Sequence, residues 1–351
     1  MITFSPGPSQ VYPEVKQYLA NAFDEGILSI SHRSETFNRM SEMVLSLIRE
    51  KLAVPDGYTI LYTSSATECW EIIAQSLTRS QSVHFHSGAF GEKWFQYAQA
   101  IHPAARSIEM PLNEALYVDY LDVRPADEVI CLTQNETSNG TQVDFETIAA
   151  IRGAFPDKLI AYDCTSSMAG INLPLALGDV WFASVQKCFG LPAGLGILIL
   201  SPAAMERARE INDISRYNAL IIMEEHIRKF QTSCTPNVLG IYLLGSVLQQ
   251  VDRIEAVDQQ LRARMVAYEQ LFANSEYKPL VYNEKIRSTT VLTIQTDAGR
   301  LEDLKQKAKS EGIQLGAGYG KWKKDTFRIA NFPAHSAADV NLLIRFLKAN
   351  L

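Results

Sequence analysis

Basic charge is scarce in this chain. Lys and Arg number 33 against 39 Asp and Glu, a formal net charge of -6. That balance argues against a partner held through its phosphate backbone, such as nucleic acid. Cysteine is also sparse: Cys69, Cys131, Cys164, Cys188 and Cys234 are scattered and form no Cys-x-x-Cys pair. A disulfide framework and a zinc cluster are therefore not expected, and the thiols read as reduced, mostly buried groups of a cytoplasmic protein. The histidines show no ligand spacing, so no metal is expected. No apolar run approaches the ~18 residues of a membrane span. The opening Met-Ile-Thr-Phe-Ser-Pro lacks a basic stretch followed by an apolar one, so a secretory signal is not expected. There are no repeats and no low-complexity segment.

What is present is an ordinary globular composition, 47% apolar and 21% charged over 351 residues, long enough for one large core and a smaller domain. Short apolar runs alternate with amphipathic stretches. Strands are expected at Thr59–Tyr62, Ser82–Phe85, Glu128–Leu132, Lys158–Tyr162, Val180–Ser184 and Leu195–Leu200. Helices are expected at about Ala66–Leu77, Glu92–Ala100 and Asp144–Phe155, and another from Glu35 to Leu52 as a core or dimer face. Near-continuous apolar runs suit strands buried on both faces of a parallel sheet. The alternation predicts an α/β layer architecture. Leu239–Ala273 reads as one long helix joining two domains. Strands at Thr289–Ile294 and Phe327–Ile329, with helices at Leu301–Ser310 and Ala337–Lys348, predict a small α/β C-terminal unit. The expected division is 16–245 for the large domain, with 1–15 and 246–351 forming the small one.

Three segments carry chemistry. In Ala183-Ser184-Val185-Gln186-Lys187-Cys188-Phe189-Gly190-Leu191-Pro192, a lysine follows an apolar strand and precedes a turn that cannot form a regular helix. A lysine at such a strand end points into a cleft, and a desolvated amine forms Schiff bases. In Leu159-Ile160-Ala161-Tyr162-Asp163, an aspartate ends another apolar strand. Alone it would be a cap or a loop carboxylate. Beside Lys187 it can serve pyridoxal 5'-phosphate, which needs an anion at its pyridine nitrogen. Thr63-Ser64-Ser65-Ala66-Thr67 lies between a strand and a helix, where backbone amides and the helix dipole can bind a phosphate.

With these residues in view, the chain resembles the class V aminotransferases, and within them the phosphoserine aminotransferase branch. Phe4-Ser5-Pro6-Gly7-Pro8 is similar to that branch's opening motif, and Ile30-Ser31-His32-Arg33-Ser34 to its Ser-His-Arg-Ser turn. Ser64-Ser65-Ala66-Thr67 stands where it has a Gly-Gly-Ala-Thr type loop. Ser87-Gly88-Ala89-Phe90-Gly91-Glu92-Lys93, Asn135-Glu136-Thr137-Ser138-Asn139-Gly140-Thr141-Gln142 and Thr235-Pro236-Asn237 resemble further motifs in the same order, as do the Asp163 and Gln186-Lys187 segments. The resemblance implies the fold of type I PLP-dependent transferases: a large domain with a mostly parallel sheet and helices on both faces, plus a small α/β C-terminal domain. It implies a homodimer with shared active sites, acting on small amino acids and oxo acids in serine biosynthesis. Lys187 would be the Schiff-base lysine and proton shuttle, and Asp163 the partner of the pyridinium nitrogen. Phe90 would stack on the ring, and Thr137 would approach the ring hydroxyl. Ala66, Thr67 and Gln186 would bind the phosphate, joined by Thr235 from the neighbouring subunit. Arg328 would hold the substrate α-carboxylate, and His32 and Arg33 its distal anionic group.

The chain also departs from that branch. A His-Arg pair expected shortly before Arg328 is replaced by Gly316-Ala317-Gly318-Tyr319-Gly320-Lys321-Trp322-Lys323-Lys324. Lys321, Lys323 or Lys324 could restore the charge as flexible point charges. The phosphate loop lacks its glycines, and Phe90 replaces the usual Trp. Another class V transaminase, using alanine or serine with glyoxylate or pyruvate, therefore stays open. A lyase such as a cysteine desulfurase is disfavoured by Phe90 and by the expected lack of an exposed cysteine loop. A degenerate, non-catalytic fold is disfavoured by Lys187, Asp163 and Arg328.

Overall fold

The computed structural model describes residues 1–273 and 275–351. Its centre is a seven-stranded sheet in the order Thr59–Thr63, Gly196–Leu200, Val180–Ser184, Leu159–Asp163, Val129–Thr133, Ser82–His86, Arg106–Glu109. Gly196–Leu200 runs antiparallel to both neighbours, and the other strands are mutually parallel. The strands Ser82–His86, Val129–Thr133, Leu159–Asp163, Val180–Ser184 and Gly196–Leu200 are buried along their whole length. That is why their apolar runs are unbroken rather than alternating. A second sheet has the order Ile2–Phe4, Ile313–Ala317, Thr326–Ala330, Val291–Gln295, Lys278–Pro279. The first strand of the chain pairs parallel with Ile313–Ala317, so the N-terminus is stitched to the C-terminal region.

Two apolar cores form around these sheets. One gathers side chains from Val15 to Ile254, the other Phe4 with Met265 through Leu347. The helix ends follow local chemistry. Ser65, Asp144, Ser201, Asp297 and Ser336 each accept a first-turn amide as N-caps, and Ser336 forms a capping box with Asp339.

One expectation fails. The single helix over Leu239–Ala273 is two helices, Val238–Gln250 and Ile254–Phe272, broken at Val251–Arg253. The first buries Ile241, Leu244 and Leu248 in the large core, and the second buries Met265, Tyr268 and Phe272 in the other. Lys51 Nζ holds the Val251 carbonyl at the break. No helix among the described residues is long and apolar enough to cross a membrane.

Candidate active site

Adjacent parallel strands end on the same side of the sheet, which gathers whatever follows them. Asp163 is the last residue of its strand, Lys187 lies just beyond Val180–Ser184, and Thr137 follows shortly after Val129–Thr133. All three are buried. Lys187 Nζ donates to Thr137 Oγ1 at 2.7 Å and lies 5.3 Å from the centre of the Phe90 ring. Burial lowers the Lys187 amine to about 8, while the Asp163 and Glu136 carboxylates oppose that shift. The N-terminal motif closes over the same lysine: a Cβ on Gly7 would stand 3.2 Å from Lys187 Cε. A side chain there would press on the lysine and shift it by a few tenths of an ångström.

Asp163 is held on both oxygens. Oδ1 accepts from the Thr165 amide at 2.9 Å and the Thr165 hydroxyl at 2.5 Å, and Oδ2 accepts from Trp70 Nε1 at 3.0 Å. Burial raises its pKa, and the Thr165 bonds and the nearby Lys187 act against that rise. Thr137 in turn donates to Ser166 Oγ, so the partner of the lysine is itself anchored.

Phe90 is positioned by a carboxylate. Glu136 Oε2 accepts the amides of Phe90 and Gly91, each at 3.1 Å, while Oε1 accepts the Ser138 amide at 2.9 Å. The helix Ala89–Ile101 therefore starts earlier than the expected Glu92. Gly88 leaves room for this carboxylate, because a Cβ there would lie 2.5 Å from Glu136 Cγ.

Arg328 enters from the second sheet, on the strand Thr326–Ala330. Its Nε donates to the Ala317 carbonyl at 2.7 Å and its Nη1 to the Thr137 carbonyl at 2.8 Å. Burial lowers the guanidinium to about 10, opposed by Glu136 and by Tyr319. Lys187, Asp163, Thr137, Glu136 and Arg328, all buried, and the half-buried Phe90 thus form one constellation around two cations and two carboxylates.

The helix start at Ala66 reaches this side of the sheet through register. Gly196 is flanked by Thr63 on one side and Ser184 on the other. The Ala66 amide donates to Ser184 Oγ at 2.7 Å, and the Ser64 amide donates to Glu68 Oε2 at 2.6 Å. Those donors already have internal partners. Thr67 is exposed, and Gln186 is half-buried with its carbonyl accepting from Ser9.

The remaining expected residues lie elsewhere in this chain. Thr235 makes no hydrogen bond to Lys187 among the described residues but lines a cavity with Thr63 and Ser64 of its own chain's helix-start loop, along with Tyr217 and Asn237. Arg33 is exposed and donates to Gln231 Oε1 at 2.9 Å, with His226 Nδ1 at 3.1 Å from the same nitrogen. His32 is half-buried, and burial lowers its pKa, with Arg33 and His226 adding to the effect. Of the lysines that could replace the missing pair, Lys321 faces Glu109 at 3.5 Å, and Lys323 and Lys324 are exposed. The expected lack of an exposed cysteine is overturned: Cys234 is exposed, on the loop that carries Thr235. Among the described residues no cluster of ligand side chains could hold a metal.

The family description Aminotransferase class-V matches residues 3–321. The chain belongs to the class V aminotransferase family. As a member it is a PLP-dependent aminotransferase. It is 28% identical to the phosphoserine aminotransferase of Rhodococcus opacus (strain B4), over 97% of this chain and 93% of that one. A crystal structure of a phosphoserine aminotransferase from Cytophaga hutchinsonii superposes with a TM-score of 0.95 at 34% identity, covering 100% of this chain and 99% of that chain. The alanine–glyoxylate aminotransferase of Nostoc sp. shares the fold, with a TM-score of 0.84 at 19% identity over 99% of this chain and 94% of its own.

The residues of this class V site fit the cofactor its family uses. A buried amine, a doubly held carboxylate and an aromatic face stand together, and the buried carboxylate retains acceptor capacity for a ring N–H. Four residues in or against the constellation carry no signal of it in the sequence. Trp70 sits inside a helix and Thr165 follows a strand, and neither position signals a bond to Asp163. Glu136 and Tyr319 lay within segments already singled out, but only the folded neighbours give them partners.

Proposed function

We propose that this chain transfers the amino group of O-phosphoserine to 2-oxoglutarate, with pyridoxal 5'-phosphate as cofactor, as a cytoplasmic homodimer with shared active sites. The observation that carries the reading is the buried pair of Lys187 with Thr137 and Asp163 beside Arg328. The similarity to phosphoserine aminotransferases over nearly the whole chain supports the choice of substrate. We take 16–245 as the cofactor-binding domain and 1–15 with 246–351 as the smaller one; two separate apolar cores favour a division in two, although the larger core itself runs from Val15 to Ile254.

In this reading Lys187 holds the aldehyde carbon, Asp163 the ring nitrogen, Phe90 the ring face and Thr137 the ring hydroxyl. Ala66, Thr67 and Gln186 hold the phosphate together with Thr235 of the neighbouring subunit, the Ala66 amide exchanging Ser184 Oγ for a phosphate oxygen. When bound, the cofactor supplies an electron sink for the charge left at the substrate Cα. Displaced from the aldehyde carbon by the incoming donor amine, the freed Lys187 Nζ would take the Cα proton and return it at the other end of the same π system, acting as base and then as acid. Its lowered pKa keeps a useful fraction of the amine neutral near pH 8. Asp163 keeps the ring nitrogen protonated through that step. Arg328 binds the α-carboxylate through its open edge. His32 and Arg33 bind the distal anionic group across the subunit boundary.

One observation favours a second reading, a class V transaminase for donors without a distal charge. Tyr319 stands beside Phe90 where cations were expected, and Lys321 pairs away from the site with Glu109. A donor panel separates the two. With phosphoserine and 2-oxoglutarate the purified protein should form glutamate, and Lys187→Ala should form none. Turnover of alanine, with none of phosphoserine or glutamate, rejects the first reading.

A further inference from the structure

Tyr319 fills the space between the ring-stacking residue and the arginine. Its ring stacks on Phe90 with centroids 5.0 Å apart and planes 28° apart. The Arg328 guanidinium carbon lies 5.5 Å from the Tyr319 ring centre. Lys187, Phe90, Tyr319 and Arg328 therefore form a continuous column from the amine to the guanidinium. The local chain is shaped to present this ring. A Cβ on Gly318 would stand 2.3 Å from Thr326 Oγ1, and Gly320 adopts φ +55° in the left-handed region. The same segment begins at Ala317, whose carbonyl fixes Arg328 Nε.

Arg328 is buried and makes no salt bridge among the described residues. Two backbone carbonyls and one aromatic face are what hold the cation. A guanidinium carries five donors, so part of its fork remains open. An unclamped arginine would have to lose its side-chain freedom each time a substrate arrived.

We infer that Tyr319 is a positioning residue for substrate carboxylates: its ring clamps the Arg328 guanidinium so that the open edge of the fork faces the Lys187 amine. This rests on Arg328 being the α-carboxylate receptor. Both the amino donor and the oxo-acid acceptor carry that carboxylate. The clamp therefore acts on both half-reactions equally and does not depend on what the substrate carries at its distal end.

The test is steady-state kinetics on the holoenzyme, with Tyr319→Phe, Tyr319→Leu and Tyr319→Ala. Losing a desolvated cation–π contact should raise KM for donor and acceptor alike by roughly tenfold in the Leu and Ala variants. The effect on kcat should be much smaller. Tyr319→Phe keeps the ring and should stay within about twofold of wild type. Leu fills most of the space, so it separates the loss of the aromatic face from a collapse of packing. In a Lys187→Ala background, where turnover is removed, the calorimetric affinity for the amino donor should fall by the same factor. A fall in kcat with unchanged KM would overturn the clamp and put the role of Tyr319 on Phe90. A loss confined to phosphorylated donors would overturn it too, because Tyr319 would then read the distal group. If the wild-type protein bound pyridoxal phosphate yet transaminated no donor, the functional reading would fall and this inference with it. Unaltered KM values in an active Tyr319→Ala protein would sink the clamp alone.

Discussion

At the scale of the residue, the site is a balance between burial and compensation. Lys187 is lowered to about 8 by desolvation, against 10.5 for an ordinary lysine. Only the neutral amine attacks a carbonyl, so the fraction able to take up cofactor rises with pH until about 8 and then levels off. Uptake of pyridoxal phosphate by the apoprotein, followed by absorbance, should accelerate roughly tenfold per pH unit below that point. A rate still climbing between pH 9 and pH 10 would mean an ordinary, solvated lysine. Asp163 poses a sharper question, because both its oxygens accept from fixed donors. Asp163→Asn removes the charge and also turns an amide N–H2 toward either Trp70 Nε1 or Thr165. Trp70→Phe should relieve part of that conflict. A double-mutant cycle on thermal unfolding should therefore give a coupling of about 1–3 kcal/mol between the two sites. Additive effects would show that the indole and the carboxylate do not interact. The contrast in legibility has the same origin. Lys187 and Asp163 could be found because each ends an apolar strand, and strand ends are visible in sequence. Trp70 could not, since its partner lies 93 residues away and nothing in a helix interior marks an indole as a donor.

At the scale of the element, most boundaries were readable where the capping chemistry is local. Ser65, Asp144 and Ser336 sit at the starts of their own helices and cap them. The two misjudged elements depend on partners remote in sequence. The helix at Ala89 is capped by Glu136 instead of by its own preceding residues. The break at Val251–Arg253 has no Pro or Gly to announce it; it occurs because the two halves face different cores. The Glu136 cap makes a testable claim about the whole element. Glu136→Ala strands the amides of Phe90, Gly91 and Ser138. Leaving buried donors unpaired costs about 1–3 kcal/mol each at most, with water recovering part of it. The variant should unfold a few degrees lower and release cofactor faster, because the ring of Phe90 is no longer fixed over Lys187. Glu136→Gln should rescue little, since its N–H2 group must face one of those same amides. Full retention of cofactor in Glu136→Ala would show that Phe90 is held by its packing alone.

At the scale of the whole molecule, Thr235, His32 and Arg33 make no hydrogen bond to the Lys187 constellation among the described residues. The proposed homodimer, in which each site takes residues from both subunits, would account for it. Leu19, Phe23, Leu28 and Met43 leave apolar side chains exposed on adjoining helices, as an interface would require. The decisive experiment is complementation. Lys187→Ala removes the amine, and Thr235→Glu places a carboxylate against the cofactor phosphate, so each protein alone should be inactive. After the two are unfolded and refolded together, half the dimers are mixed. Each mixed dimer holds one site with Lys187 from one subunit and Thr235 from the other, and a second site with neither. Recovery of about a quarter of the wild-type activity is expected, since half the dimers each carry one of two working sites. If both residues served the same site within one chain, every site in the mixture would carry one defect and no activity would return. Light scattering on the same samples should give twice the 39.2 kDa chain mass. A monomeric wild-type enzyme with full activity would exclude shared sites outright.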